Sequence, residues 1–493
     1  MEAIPIGIVG IDWGVIAIIL PLAGGIACVL WPAMSKPAGL ITVAGTALAI
    51  AGLGWRIMEN GTYRHAVGGW GAPLGIDLFA DGLSLIMLIM TALVGLGVSF
   101  YAKRYFSPHD AARFWPIWLF LLAALNALFL SADIFNLYVT LEITGLAAVA
   151  LTALTGRIDA LGGAMRYLLA TLLGSLAYLL GVALLYHEAG SVDIATLAQR
   201  IEPNAIVWTA LGLMSAGLAL KTALFPLSFW LPPAHASAPA PVSALLSALV
   251  VKASFYILLR LWLELFGAFA LGASMLLGLL GAAAILWGSL QALRQTRIKL
   301  LVAYSTVAQI GYLFLIYPLA SAGNGMVAGM AAYLAFSHAL AKSAMFLAAG
   351  NLMQFGGHDR IADLDRAVQR LPLTVAAFAL AGVSIMGLPP SSGFVGKWLL
   401  LDAAMSQGRW DLAVVMIIGG LLAAGYIFKV LGYAFTQAEV PHDARAVPAE
   451  MEWAALLLAM SALLLGFMAS EIFALIHPDL PVNVDAAVMA WTA

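Results

Sequence analysis

Leu220-Lys-Thr-Ala-Leu-Phe-Pro-Leu-Ser-Phe-Trp-Leu-Pro-Pro-Ala-His-Ala-Ser-Ala-Pro239 is the stretch on which the fold turns. One apolar run leads into it from residue 205, and a second leaves it over residues 241–266. Lys221 therefore stands deep within apolar sequence, immediately before a proline break. Proline lacks the backbone donor and clashes with the preceding turn. Inside a bilayer the carbonyls it frees must find partners in protein or water. The stretch reads as a membrane helix broken in mid-crossing beside a charge.

Outward from this point, runs of about 20 apolar residues, enough to cross a bilayer, recur along the whole chain. They lie at 13–32, 38–55, 78–101, 114–131, 134–155, 165–186, 205–230, 241–266, 269–291, 300–318, 326–355, 373–405, 411–437 and 453–476. Of the 493 residues 63% are hydrophobic and only 10% are Asp, Glu, Lys or Arg. A soluble domain carries about 25% charged residues, so a water-soluble helical core is excluded. The expectation is an all-α integral membrane protein of about fourteen transmembrane helices in one membrane domain, multi-pass in a cell membrane.

The net charge of −2 points to no nucleic-acid partner. The single cysteine, Cys28, lies in an apolar run, and no cysteine cluster suits zinc or iron–sulfur binding. Neither G-x-G-x-x-G nor G-x-x-x-x-G-K-[ST] occurs. No catalytic residue, cofactor or metal is expected, and any energy must come from a gradient or a partner. Met1–Asp12 lacks the basic start of a signal peptide, so the first run reads as a retained helix.

Orientation follows from the loops. The odd-numbered ones hold Lys36; Lys103, Arg104 and Arg113; Arg157 and Arg166; Arg294, Arg297 and Lys299; Arg360, Arg366 and Arg370; and Arg445. The even-numbered ones hold Arg56, Arg64, Arg200, Arg260 and Arg409. An excess of Lys and Arg marks the cytoplasmic side, which places both termini on the other side. A second break, Gly387-Leu-Pro-Pro-Ser-Ser-Gly393, lies in the twelfth run. Two broken helices at corresponding places signal an inverted-repeat transporter. Lys221 precedes its break whereas Lys397 follows Pro390, as a flipped unit requires.

An ionisable group near the bilayer centre costs at least about 2.5–3.5 kcal/mol on insertion scales. Such groups recur here at mid-helix positions. Glu142 lies in the fifth helix, with a neutral or threonine-satisfied carboxyl as its bland reading. Lys221 and Lys252 lie within the seventh and eighth; flanking apolar sequence argues against snorkelling. His338 and Lys342 stand four residues apart, on one helical face. A lone histidine is more often a satisfied core residue, but one stacked on a membrane lysine favours function. Lys397 follows the second break, and Asp402 is its candidate partner or exit group. Asp133 reads as an N-cap as readily as a functional acid, and Lys429 reads better as loop-facing. Paired with a carboxylate, a buried lysine holds its proton; parted from it, the lysine tends to release it. A Glu142–Lys221 pair is thus a candidate switch at the head of a row of proton-carrying groups.

Five stretches carry a resemblance. They are Asp133-Ile-Phe-Asn-Leu-Tyr-Val-Thr-Leu-Glu142, the opening stretch Leu220–Pro239, Tyr304-Ser-Thr-Val-Ala-Gln-Ile-Gly-Tyr312, Ser337-His-Ala-Leu-Ala-Lys-Ser-Ala-Met-Phe-Leu-Ala-Ala-Gly350, and Gly387-Leu-Pro-Pro-Ser-Ser-Gly-Phe-Val-Gly-Lys397. In this order and spacing the chain resembles the proton-conducting antiporter-like subunits of Mrp-type sodium/proton antiporters, respiratory complex I and membrane-bound hydrogenases. The resemblance implies two inverted five-helix repeats, helices four to eight and nine to thirteen, with helices 7 and 12 broken. The chain then divides at 1–112, 113–267, 268–438 and 439–493. It further implies that Glu142 pairs with Lys221, Lys252 bridges, His338 and Lys342 relay, and Lys397 terminates. His235 would sit in the broken-helix segment. Partner membrane subunits are implied, with protons as cargo, with or without sodium.

The Asn-Leu-Tyr-Val and Phe-Pro-Leu-Ser-Phe-Trp-Leu-Pro runs look most like the D-type member of Mrp antiporters. Ala-His-Ala-Ser-Ala-Pro leans toward the complex I and hydrogenase relatives. The short sequence after the last run resembles members without a long C-terminal lateral helix. The expected function is that of a proton-translocating subunit, most like the D-type Mrp protein, with a respiratory proton-pumping role as the alternative. A catalytic role has no cofactor motif in its favour. A scaffold would gain by exchanging buried charges for apolar residues.

Overall fold

The computed structural model describes residues 11–320, 325–437 and 445–476. Parts of the two termini named above therefore lie outside the described residues. Among the described residues, thirteen helices are long and apolar enough to cross a membrane. In chain order they are Trp13–Leu30, Pro32–Asn60, Gly82–Tyr105, Pro108–Phe129, Ile134–Thr152, Ile158–Ala189, Ala205–Ser237, Ala240–Phe266, Leu271–Arg294, Ile298–Leu319, Val327–Gly356, Trp410–Phe435 and Ala449–Phe467. The run at 373–405 forms two shorter helices, Pro372–Met386 and Ser392–Ser406. Counted as one crossing, they are the twelfth span, and Trp410–Phe435 and Ala449–Phe467 become the thirteenth and fourteenth.

Outward faces show why the chain needs a bilayer. Leu169, Leu173, Leu176 and Leu180 form an exposed stripe on the sixth span, and Ile417, Leu421 and Phe428 do so on the thirteenth. Their spacing of three, four and seven residues keeps them on one side of each helix. The eighth and eleventh spans are different: residues 240–262 and 327–352 are buried throughout inside the protein. A helix enclosed on all sides should be apolar all round, yet these two carry Lys252, His338 and Lys342.

Both breaks satisfy the groups they free. In the seventh span the first half helix, Ala205–Thr222, stops at Ala223, which adopts the left-handed conformation at φ 60°. A turn and a short helix, Leu231–Ser237, follow. The carbonyl of Leu220 accepts from the Trp230 indole at 2.8 Å. In the twelfth span Gly387 ends the first half helix at φ 83°. Ile385 O there accepts from Lys397 Nζ at 2.5 Å and from Gln309 Nε2 at 3.4 Å. The eighth span also contains a π-helical turn at Leu246–Val250, one turn before Lys252; such turns are frequent at functional sites. Outside the spans, an antiparallel hairpin pairs Tyr63–Ala66 with Asp77–Ala80, which hydropathy did not foretell.

Candidate functional site

The fifth, sixth and seventh spans meet at a three-membered bridge. Ser175 Oγ donates to Glu142 Oε2 and receives Lys221 Nζ at 2.5 Å. The lysine nitrogen lies 3.5 Å from the same carboxylate oxygen. The Lys221 side chain is 4% exposed and that of Glu142 19%, so the acid is the more open of the two. Glycines make the room: a Cβ on Gly174 would come within 2.8 Å of Lys221 Cγ, and one on Gly145 within 2.8 Å of Thr171 Oγ1. Lys221 occupies the last turn of its half helix, where the carbonyl end of the dipole favours a cation.

From Lys221 the polar path turns inward. A cavity of about 10 Å³ is lined by Lys221, Thr144, Thr171 and Ser254, room for one water at most. Ser254 Oγ is bonded to Thr222 Oγ1 at 3.0 Å and lies two residues beyond Lys252. No hydrogen bond joins Lys221 directly to Lys252 among the described residues. Lys252 is wholly buried, and its Nζ donates to Ser247 O. Ser247 Oγ meets Thr306 Oγ1 at 2.9 Å. On the next turn face, Lys342 Nζ donates to Ser305 Oγ and to Val302 O at 3.0 Å. His338, one turn from Lys342, lies within electrostatic range of Lys252, Lys342 and Lys397. Neither of its ring nitrogens has a hydrogen-bond partner among the described residues. A buried polar group left so asks for an explanation. Beside it Ser337, Ser384 and Ser392 form a hydroxyl cluster at 3.2 and 2.7 Å. Lys397 completes the row, its Nζ 4.2 Å from the Tyr312 ring centre. It lines an apolar groove of about 280 Å³ with Tyr312, Phe394 and Trp398.

His235 is buried, stacked on Phe346 at 4.8 Å, with its Nδ1 unpartnered among the described residues. It is within electrostatic range of Lys299, Lys342 and Lys252. Lys299, counted above as a loop cation, is in fact buried at the start of the tenth span, donating to Ala238 O. It forms the floor of a cavity of about 600 Å³ whose rim holds Asp110, Arg157, Asp159, Arg297 and Asp359.

The supporting residues divide. Asp133 is the N-cap of Ile134–Thr152, its Oδ1 accepting from Asn136 N at 2.5 Å. Asp402 is exposed and makes no ion pair with Lys397 among the described residues. Lys429 caps the ninth span, donating to Leu293 O and Gln295 O at 2.8 Å each. Arg260, also counted with the loops, lies buried in the eighth span and forks onto Asp81 at 2.6 and 2.8 Å. Burial works to raise the Asp81 carboxyl, but the guanidinium wins and holds it down to about 2. Loop counting misplaced both: Arg260 lies inside the 241–266 run and Lys299 one residue before the 300–318 run, and each is held in the interior by a buried partner. The bridging hydroxyls Ser175, Ser247, Ser305 and Thr306 were also missed; nothing in the local sequence distinguishes them from other membrane serines and threonines.

A polytopic helical protein built around enclosed lysines is the class that fold and site define. A family model described as the transmembrane region of NADH:quinone oxidoreductase/Mrp antiporter matches residues 131–423. The chain is 34% identical over 485 residues to the N-type subunit of the NADH-quinone oxidoreductase of Desulforudis audaxviator, covering 93% of this chain and 96% of that one. It is 29% identical over 442 residues to the D-type subunit of the sodium/proton antiporter of Alkalihalophilus pseudofirmus, covering 87% and 88%. A chain of the Mrp complex from Dietzia shares the fold at a TM-score of 0.87, with 23% identity over 94% and 96% of the two chains. The protein belongs to the NADH:quinone oxidoreductase/Mrp antiporter family of multi-pass membrane proteins.

Proposed function

We propose that the chain is a proton-translocating, antiporter-like subunit of a multi-subunit membrane complex. The observation that carries this reading is the Glu142–Ser175–Lys221 bridge at the head of an enclosed row of Lys252, His338, Lys342 and Lys397. Each lysine's ammonium meets a hydroxyl, a carbonyl or a carboxylate rather than lipid. When the bridge closes, Lys221 holds its proton; when it parts, the proton moves inward through the small cavity toward Lys252. Every transfer alters the charge felt by the next cation, so one end of the row biases the other. Hydroxyls, which both donate and accept, are suitable carriers between such groups. In the second half, Lys397 bonds to the carbonyl end of the first half helix, as Lys221 occupies the carbonyl end of its own. This parallel supports two inverted repeats, helices four to eight and nine to thirteen.

The excess of cationic loops supports a cytoplasmic position for the end that opens to Lys299, with both termini on the opposite face of a bacterial or archaeal inner membrane. Protons then enter by the large cavity, past Lys299 and His235. Glu142 and Lys397 are both partly exposed laterally, where a charge facing lipid is costly; neighbouring membrane subunits supply their cover. Relatives named as D-type components of sodium/proton antiporters support exchange of protons for sodium in an Mrp-type assembly. The 34% identity to the N-type component of a quinone oxidoreductase favours a second reading, a proton-pumping part of a respiratory complex.

Reconstitution separates these readings. The complex in proteoliposomes should move protons, and Glu142→Ala or Lys221→Ala should abolish coupled flux while assembly survives. Unaltered flux in both variants removes the switch. Flux that requires sodium identifies an antiporter, and flux that requires an electron donor identifies a respiratory pump.

A further inference from the structure

We propose that Arg260 is an electrostatic seal that closes the relay to protons at the end opposite the large cavity. The inference rests on the proton-relay reading above. Lys252, Tyr256 and Arg260 recur every four residues, so they line one face of the eighth span, each step rising about 6 Å. Tyr256 Oη meets Ser84 Oγ at 3.0 Å and donates to Phe129 O at 3.2 Å. Arg260 donates to Tyr256 Oη and Ser84 Oγ at 3.0 Å each, besides its fork onto Asp81. Glu264 stands 3.6 Å away on its outer side. Beyond the guanidinium lies a cavity of about 100 Å³ lined by Arg64, Ser131, Asp193 and Glu264, with Arg260 in its wall.

Without Arg260, the Ser84 and Tyr256 hydroxyls would stand between this cavity and the helix face that carries Lys252, one turn short of the lysine. Tyr256 and Ser84 can each both donate and accept, which is what proton hopping needs. A guanidinium cannot: it only donates and does not give up its proton in proteins. It also places a fixed positive charge in the path of an approaching proton. Asp81 and Ser84 hold it in that position by a two-pronged fork and a third bond. A purely structural ion pair would brace the third and eighth spans but would have no bearing on proton leak.

The test uses the whole complex in sealed proteoliposomes, without substrate or sodium, under an imposed pH gradient. Arg260→Gln should raise passive proton entry about tenfold or more, the order expected from losing a unit charge at close range in a protein medium. Adding Lys252→Met should return the leak to the wild-type level, because the leak runs through that lysine. Should the single variant not assemble, Arg260→Gln with Asp81→Asn leaves no lone buried charge, keeps polar side chains in the path, and should still raise passive proton entry above wild type. Assembled variants that stay tight, or a leak indifferent to Lys252, overturn the seal. Wild-type complex with no Lys221-dependent flux would instead overturn the relay reading, whatever Arg260 does.

Discussion

Ser175 sits between the acid and the base of the proposed switch. The direct Lys221–Glu142 separation of 3.5 Å is long for a charge-assisted bond, and the serine hydroxyl closes it from both sides. A hydrogen bond to a charged group contributes about 1.5–3 kcal/mol net, and each 1.4 kcal/mol or so is a tenfold change in rate. Ser175→Ala is therefore expected to cut Lys221-dependent proton flux roughly tenfold, although both charges remain. Ser175→Thr keeps the hydroxyl and should retain most of the flux. Proteoliposome assays of the two variants side by side measure this, and equal flux in Ser175→Ala and wild type would leave the hydroxyl without a part in transfer.

Among the elements, the sixth and seventh spans approach closely beside the proposed switch. A Cβ at Gly174 would stand 2.8 Å from Gly217 O as well as 2.8 Å from Lys221 Cγ. Ala in place of Gly gains up to about 1 kcal/mol of helix propensity. Overpacking costs about 1–3 kcal/mol, and a backbone oxygen cannot turn aside as a side chain can. The penalty wins, so Gly174→Ala should lower the thermal midpoint of the detergent-solubilised complex and weaken Lys221-dependent flux. Gly212, on the same seventh span, meets nothing within 4 Å of its would-be Cβ. Gly212→Ala should leave both readings unchanged or raise the midpoint slightly, so a similar loss at both positions would refute the packing argument. Lys429 belongs to this scale as well: it terminates a helix by satisfying two carbonyls, a role in which its charge complements the helix dipole.

For the whole molecule the property to test is sidedness, since the loop charges orient the entire bundle at once. Asp159 follows the fifth span and Glu188 ends the sixth, at opposite ends of the molecule, and both are exposed. The native Cys28 is buried and should not compete for a membrane-impermeant thiol reagent. Asp159→Cys should label only from the cytoplasmic side and Glu188→Cys only from the other. The reverse pattern would turn the proposed intake cavity to face outward.

Hydropathy alone determined that this chain is a bundle of about fourteen membrane crossings, because apolar runs of bilayer length admit no other placement. Proline, with no donor, marked both breaks, and isolated mid-span charges marked Glu142, Lys221, Lys252, His338, Lys342 and Lys397 as costly and therefore notable. Which groups meet was decided by the tertiary structure. Ser175 joins Glu142 to Lys221 across three helices, and Ser247 with Thr306 joins the eighth span to the tenth. Arg260 and Lys299 became interior residues only once Asp81 and the Ala238 carbonyl came within reach. A hydroxyl or an end-of-helix cation carries no periodicity of its own, and its meaning comes from a partner far away in the chain that only packing brings into contact.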